Sequence, residues 1–307
     1  MPSEEVPVHF PGAEEPRRRH HVDAHGVRLA VHEWGDAGAP PLFLVHGGSD
    51  FARTFSGLAP RLARAGWRIV AWDQRGHGDS DHTALYSWDA DLRDAATVID
   101  RIASGPAPVV GHSKGGALSV QLADAQPFRF SHLVNLDGLP SKRPMADLAG
   151  YERRRMMAGD IAAWLDHRRR TGDLERRPGT LDELAERRAY SNPRMSREWL
   201  RYLVSVGARR DPDGWRWKLD PSIRFVGFGP WRPEWTAIRL PGLAMPFLGV
   251  LGGIEEPMGW GTGPEQITPL LPTHGRLETL DDVGHFLHIE RPDEIAAMIL
   301  DFVGSPR

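Results

Sequence analysis

The chain has 307 residues, 40% hydrophobic and 26% charged, with a formal net charge of −3. Such a composition describes a soluble globular protein with a sizeable core, either one large α/β domain or a domain carrying an insertion. The absence of cysteine excludes disulfides, thiolate metal sites and a cysteine nucleophile, and the small net charge argues against a general attraction to nucleic acid.

Residues 1–20 are polar and proline-broken, which predicts a flexible arm. They lack the apolar stretch of a signal peptide, and no run of the chain is long and apolar enough to span a bilayer, so a cytoplasmic protein is expected. His25-Gly26 then separates two alternating segments, HHVDA and VRLAVHEW, as in a hairpin. From residue 41 apolar runs alternate with helical spacings. PLFLVHG, WRIVAWD, PAPVVGHS and SHLVNLD read as strands, with helices predicted over 51–66, 89–103 and 114–125. That order predicts a mostly parallel sheet with helices on both faces. Residues 141–240 break the pattern with arginine-rich helical segments, and strand and helix signals resume at MPFLGVLGG and end at RPDEIAAMILDFVG. The expected organisation is an α/β core (21–140 and 241–307) with a helical cap (141–240) inserted after the sixth strand.

One corner carries chemistry. Gly111-His112-Ser113-Lys114-Gly115 lies between a buried strand and a helix and fits the G-x-S-x-G elbow. There a serine occupies a strained turn with its hydroxyl above the C-terminal edge of the sheet, where open α/β sheets bind ligands. A serine hydroxyl needs a base. His285, in the loop before the terminal helix, follows the serine in the chain order expected of such a pair.

Four segments in order resemble the α/β-hydrolase fold family over residues ~22–140 and ~241–304: LVHGG, WDQRGHGDSD, GHSKGG and VGHFLHIERPDEI. The resemblance implies an acyl-enzyme hydrolase needing no cofactor and no metal. It assigns Ser113 as nucleophile, His285 as base and the backbone N–H groups of Gly48 and Lys114 as the oxyanion hole. Asp73, Arg75, Gly76, Gly78 and Ser80 would form a structural turn through Asp–Arg pairing, with His46 and His112 as scaffold. The acid is open. The family's usual Gly-x-x-Asp is absent from Leu251-Gly252-Gly253-Ile254-Glu255-Glu256. Asp137, closing the strand after the elbow, is the first candidate, and Glu255 and then Glu256 are the alternatives. Lys114 is one of only three lysines; its side chain either packs with its ammonium in water or pairs with Asp137, Glu255 or a substrate carboxylate.

Residues 141–224 carry 20 Lys+Arg against 13 Asp+Glu, which fits either solvated helix faces or a basic mouth for anionic substrates. Trp164, Trp199, Trp215, Trp217, Trp231 and Trp235 are expected to pack cap on core, with one or two lining a pocket for a bulky apolar acyl group. The expected activity is hydrolysis of a small-molecule carboxylic ester or lactone, with no nucleic-acid or membrane partner. C–C bond hydrolysis or cofactor-free perhydrolysis on the same triad is the alternative. A ligand-binding protein without catalysis is the alternative of another class. Epoxide hydrolysis and dehalogenation are disfavoured, because they need a carboxylate where Ser113 stands.

Overall fold

The computed structural model describes residues 8–306 except 85, 140–149, 172–173 and 224–232; at 150–157, 160 and 233–235 only the backbone is described. The first two strands, β1 (Arg18–Asp23) and β2 (Arg28–Trp34), pair antiparallel. His25 (φ 57°) and Gly26 (φ 84°) turn between them. Positive φ at both central residues gives the turn the twist that a two-residue hairpin requires. The charged sequence RRHHVD sits on an edge strand, where charge discourages pairing with another chain.

The core then alternates: β3 (Pro41–Val45), α1 (Leu58–Arg64), β4 (Arg68–Trp72), α2 (Trp88–Ile102), β5 (Ala107–His112), α3 (Lys114–Ala125) and β6 (Phe130–Leu136). The segment expected to form the cap contributes α4 (Gly150–Thr171), α5 (Leu181–Ser191), α6 (Arg197–Gly207), β7 (Ala208–Asp211) and β8 (Gly214–Trp217). The core closes with β9 (Phe247–Gly252), α7 (Pro264–Ile267), β10 (Gly275–Leu280), α8 (Leu287–Glu290) and α9 (Pro292–Val303). Eight strands form one sheet in the order β1-β2-β4-β3-β5-β6-β9-β10, parallel from β4 to β10. β2 runs antiparallel to β4.

Strand pleating sorts side chains between two apolar layers. Phe43 and Val45 face the layer that holds Val98, Leu118 and Leu122 of α2 and α3. Leu42 and Leu44 face the other, with Leu58 and Leu62 of α1 and Ile295 and Ile299 of α9. Each such fully buried side chain contributes about 1.5–3 kcal/mol. Among the described residues no helix is long and apolar enough to cross a membrane.

The cap has its own small core. Thr180 and Glu183 form a reciprocal capping box at the start of α5, and the Ser196 side chain caps α6. Leu181, Leu184, Trp199, Leu200 and Leu203 pack with Phe51 and Phe286 of the core domain. Trp215 and Trp217 lie partly buried against this cluster. Trp231 and the Trp235 side chain lie outside the described residues, and Trp164 is half-buried. The cap is not wholly helical: β7 and β8 form an antiparallel hairpin. Lys218, just after it, pairs with Asp79 at 2.6 Å, tying the cap's return to the turn after β4.

Two expectations change here. Arg75 does not pair with Asp73. It forms a bidentate bridge to Asp94 of α2 at 2.7 Å for each bond, while Asp73 accepts the N–H groups of Ala52 (2.7 Å) and Asp79 (2.8 Å). The described part of the arm is also attached. Trp34 Nε1 donates to the Glu14 carbonyl at 3.0 Å, Arg53 Nη1 to Glu15 at 2.8 Å, and Phe10 meets Trp199 edge-on with centroids 4.8 Å apart. The Glu15 carboxylate meets the buried Arg53, the Glu14 carboxylate pairs with the exposed Arg64, and Phe10 meets the cap.

Phe10→Ala is therefore expected to cost about 1–2 kcal/mol through lost burial and the lost ring contact. A lowered denaturant midpoint at unchanged slope checks it; a loosely attached arm would leave the midpoint where it was.

Candidate active site

β5 ends at His112, and Ser113 turns the chain into α3 with φ 52° and ψ −122°. A left-handed backbone at a non-glycine residue is strained, and the neighbouring glycines make it tolerable. A Cβ on Gly115 would run into the backbone carbonyls of Val45 and His46, and one on Gly111 would strike the backbone of Gly115. Only bare backbone lets β3, β5 and α3 approach this closely. Ser113 is thereby held, 8% exposed, at the C-terminal edge of the sheet.

β6, next to β5, is followed directly by Asp137, whose N–H donates to the Val250 carbonyl of β9 at 2.8 Å. Its Oδ2 lies 2.5 Å from His285 Nδ1, and Gly252 N–H donates to Oδ1 at 3.3 Å. Of the three carboxylates considered, Asp137 is the one on the histidine ring. Glu255 is exposed. Glu256 is buried and accepts the backbone N–H of His285 at 2.6 Å, so it holds the histidine's main chain and not its imidazole. Burial pushes the Glu256 carboxyl above its ordinary range, against that hydrogen bond.

His112 links the elbow to the histidine loop. Its Nε2–H donates to the His285 carbonyl at 2.9 Å, and the two rings lie 4.7 Å apart. His46 Nδ1–H donates to the Gly47 carbonyl at 2.7 Å while Nε2 accepts the Gln74 N–H at 2.9 Å. His46 therefore spends both ring nitrogens on the backbone, whereas His112 spends Nε2 there and its buried Nδ1 has no hydrogen-bond partner among the described residues. Gly48 stands on the same loop, directly before Ser49 with its φ of 55°. Lys114 opens α3, where the first N–H groups have no partner within the helix.

The Lys114 side chain takes neither expected course. Its ammonium is bound to Asp91 Oδ2 (2.7 Å) and Gln74 Oε1 (2.8 Å), and not to Asp137, Glu255 or open water. Gln74 in turn donates to the His46 carbonyl at 2.6 Å. The cation disfavoured at a helix start is thus offset by an acid from the first turn of α2. An aspartate in a predicted helix facing the elbow was the available signal, but nothing in the sequence pairs it with Lys114.

Two groups of side chains bring metal-ligand atoms within 4.8 Å of one another among the described residues: Asp50, His112 and His288, all buried, and His32, Asp73 and Asp79. In the second, Asp73 already serves two backbone N–H groups and His32. In the first, the other ring nitrogens are engaged, by the His285 carbonyl for His112 and by Thr54 at 3.1 Å for His288.

A family model described as the alpha/beta hydrolase family matches residues 42–298. The chain belongs to that family. Its relatives include the sn-1-specific diacylglycerol lipase of Mus musculus, 25% identical over 88% of this chain and 82% of that one. Epoxide hydrolase A of Mycobacterium tuberculosis is 28% identical over 92% and 96%. The thioesterase domain from the curacin biosynthetic pathway superposes with a TM-score of 0.78 at 23% identity, covering 92% of this chain and 99% of that domain. This alpha/beta hydrolase thus shares the fold of its structural neighbours, and its lipase and epoxide hydrolase relatives support hydrolase activity.

The buried histidines lead to an expectation that stability falls in acid. Desolvation lowers His46 from 6.5 to about 4 and His288 to about 3, and takes His77 and His112 well below 6.5. All four are neutral in the fold and bind protons when the chain unfolds. Their stabilisation is complete above pH 6.5 and lost as the pH falls toward 4 and below, at about 1.4 kcal/mol per pH unit for each. Asp50, Asp94 and Glu256, raised by burial, act in the opposite sense but are fewer. Unfolding followed in denaturant between pH 7 and 4 is expected to show stability falling throughout, and His288→Gln to make the slope shallower by close to one proton.

Proposed function

We propose that the chain is a serine hydrolase acting on small-molecule carboxylic esters or lactones, with Ser113 as nucleophile, His285 as general base and acid, and Asp137 as the orienting acid. The observation that carries the reading is the 2.5 Å contact between Asp137 and His285 Nδ1, beside a serine in a left-handed elbow. With Nδ1–H given to the carboxylate, the neutral ring has its lone pair on Nε2, the tautomer a base needs.

Ser113 Oγ attacks the acyl carbon as His285 Nε2 takes its proton. The carbonyl oxygen becomes an oxyanion and receives the N–H groups of Gly48 and Lys114. The imidazolium, stabilised by Asp137, returns the proton to the departing alkoxide and leaves an acyl-serine. A water, deprotonated by His285, then attacks the acyl carbon and releases acid and free enzyme. Each oxyanion donor accounts for about 10²–10³-fold in such reactions. The epoxide hydrolase relative does not redirect this reading. Opening an epoxide through a covalent ester needs a carboxylate nucleophile, and this chain has a serine at the elbow.

Three variants test the roles on one activated aryl ester. Ser113→Ala is expected to abolish turnover and labelling by a serine-directed phosphonate while leaving the thermal midpoint in place. Asp137→Asn is expected to lower kcat by about 10³–10⁴-fold, because the amide favours the wrong tautomer. Glu256→Gln keeps an acceptor for the His285 N–H and is expected to lose about tenfold or less. A crippled Glu256→Gln beside an active Asp137→Asn would reverse the assignment, and an active Ser113→Ala would end it.

A further inference from the structure

Two arginines of the cap reach the two core loops that the proposed mechanism depends on. Arg188, near the end of α5, donates from Nη1 to the Ser49 carbonyl at 2.8 Å, one residue past Gly48. Six residues on, Arg194 donates from Nη2 to the Asp282 carbonyl at 2.7 Å. It also holds Glu290 Oε2 from Nε (2.9 Å) and Nη2 (2.7 Å). Glu290 passes the constraint on, since its Oε1 accepts the Gly284 N–H at 2.9 Å. The next N–H, that of His285, goes to Glu256. Successive amides of the histidine loop are therefore fixed by two carboxylates, and one of these is gripped from the cap.

We propose that Arg188 and Arg194 are positioning residues: a two-point clamp through which the seating of the cap sets the oxyanion loop and the histidine loop in register for catalysis. The inference rests on the roles given above to Gly48 and His285.

The chemistry of the two contacts supports a positioning role over incidental surface pairing. Both arginines bind main-chain carbonyls, so each constrains the path of a loop and not merely a mobile side chain. Arg188 is not a surface residue: its side chain is 12% exposed, and Nε and Nη2 have no hydrogen-bond acceptor among the described residues. Its counter-ion Asp50, 1% exposed, stands 3.9 Å away on the same loop, and its guanidinium lies over the ring of Phe286, next to His285, at 5.9 Å. A desolvated guanidinium with incomplete pairing is costly. Ser49, whose carbonyl it holds, has a left-handed backbone, a conformation that persists only where its surroundings over-determine it. At Gly284 the approach of the Arg194 stem and Glu256 leaves no room for a Cβ.

Arg187 supplies the control. It donates to the carbonyls of Arg177 (3.1 Å) and Pro178 (2.8 Å), ties the cap only to itself, and touches neither loop. The experiment compares Arg188→Gln, Arg194→Gln, Arg194→Lys and Arg187→Gln in the full chain, on an acetyl ester with no long acyl group to contact the cap. Displacing a reacting group by about 1 Å costs on the order of 10²-fold. The two clamp variants are therefore expected to lose about 10–100-fold in kcat with KM within about threefold of the parent. Arg194→Lys, which keeps the charge toward Glu290, is expected to recover part of the loss, and Arg187→Gln to keep the parent kcat. Thermal midpoints and far-UV spectra, read alongside, identify a variant that no longer folds; the Arg194→Lys comparison then carries the test. Parent-like kcat in both clamp variants, with Ser113→Ala inactive, would overturn the clamp and leave the serine mechanism standing. Activity in Ser113→Ala would instead remove the reading on which the clamp rests.

Discussion

The contact between Asp137 and His285 joins residues 148 positions apart, and most of the fold can be understood as what makes that contact hold. Asp137 is fixed because β6 lies between β5 and β9, so its N–H and its carboxylate both bond to β9 or the residues that end it. His285 is fixed because the chain after β10 must return over the same edge to start α8 and α9, whose apolar faces belong to the layer beneath. Parallel strands put their carboxyl ends on one side. The elbow, Asp137 and the histidine loop all issue from that side, so none needs a long excursion to meet the others.

The architecture was legible in the sequence wherever burial was complete. A strand covered on both faces has to be a continuous apolar run, so PLFLV, RIVAW, APVVGH and FLGVLG declare themselves. Ser113 was legible for a related reason: close approach of strand and helix demands glycines, and Gly111, Gly115 and Gly116 surround it. What could not be read depends on pairings across the fold. Glu255 and Glu256 are adjacent and chemically alike, yet one is exposed and the other buried on the His285 amide. Alternation along a loop decides that, and a loop has no period. β7 and β8 were missed because ARRD and GWRW are short and charged, and the hairpin covers only part of one face. Arg75 was expected to pair with an aspartate of its own turn, and Lys114 to reach water or to pair with Asp137, Glu255 or a substrate carboxylate; both instead pair with α2, which packs beside α3 and presents Asp94 and Asp91 toward them.

The heavy use of arginine also has a structural sense. A guanidinium can serve a carboxylate and a carbonyl together from a fixed fork, which an ammonium does less well. Arg194 does this between cap and core, and Arg216 does it within the cap, donating to Asp211, Asp213 and the Arg176 carbonyl. Of the two described lysines, Lys114 also serves a carboxylate and an amide oxygen, Asp91 and Gln74, but within the core. Lys218 ties the return of the cap to Asp79 of the core.

The segment from Phe10 to Glu15 touches three separate parts of the molecule: Trp199 in the cap, Arg53 in the turn before α1, and the indole of Trp34 in β2. A cap that lifts away from the core must break this strip of chain as well as its own interface. Loss of the cap and loss of the sheet are thereby joined into one event. On heating, the molecule should melt as a single cooperative unit, with calorimetric and van't Hoff enthalpies in agreement, although its sequence reads as a core with an insert.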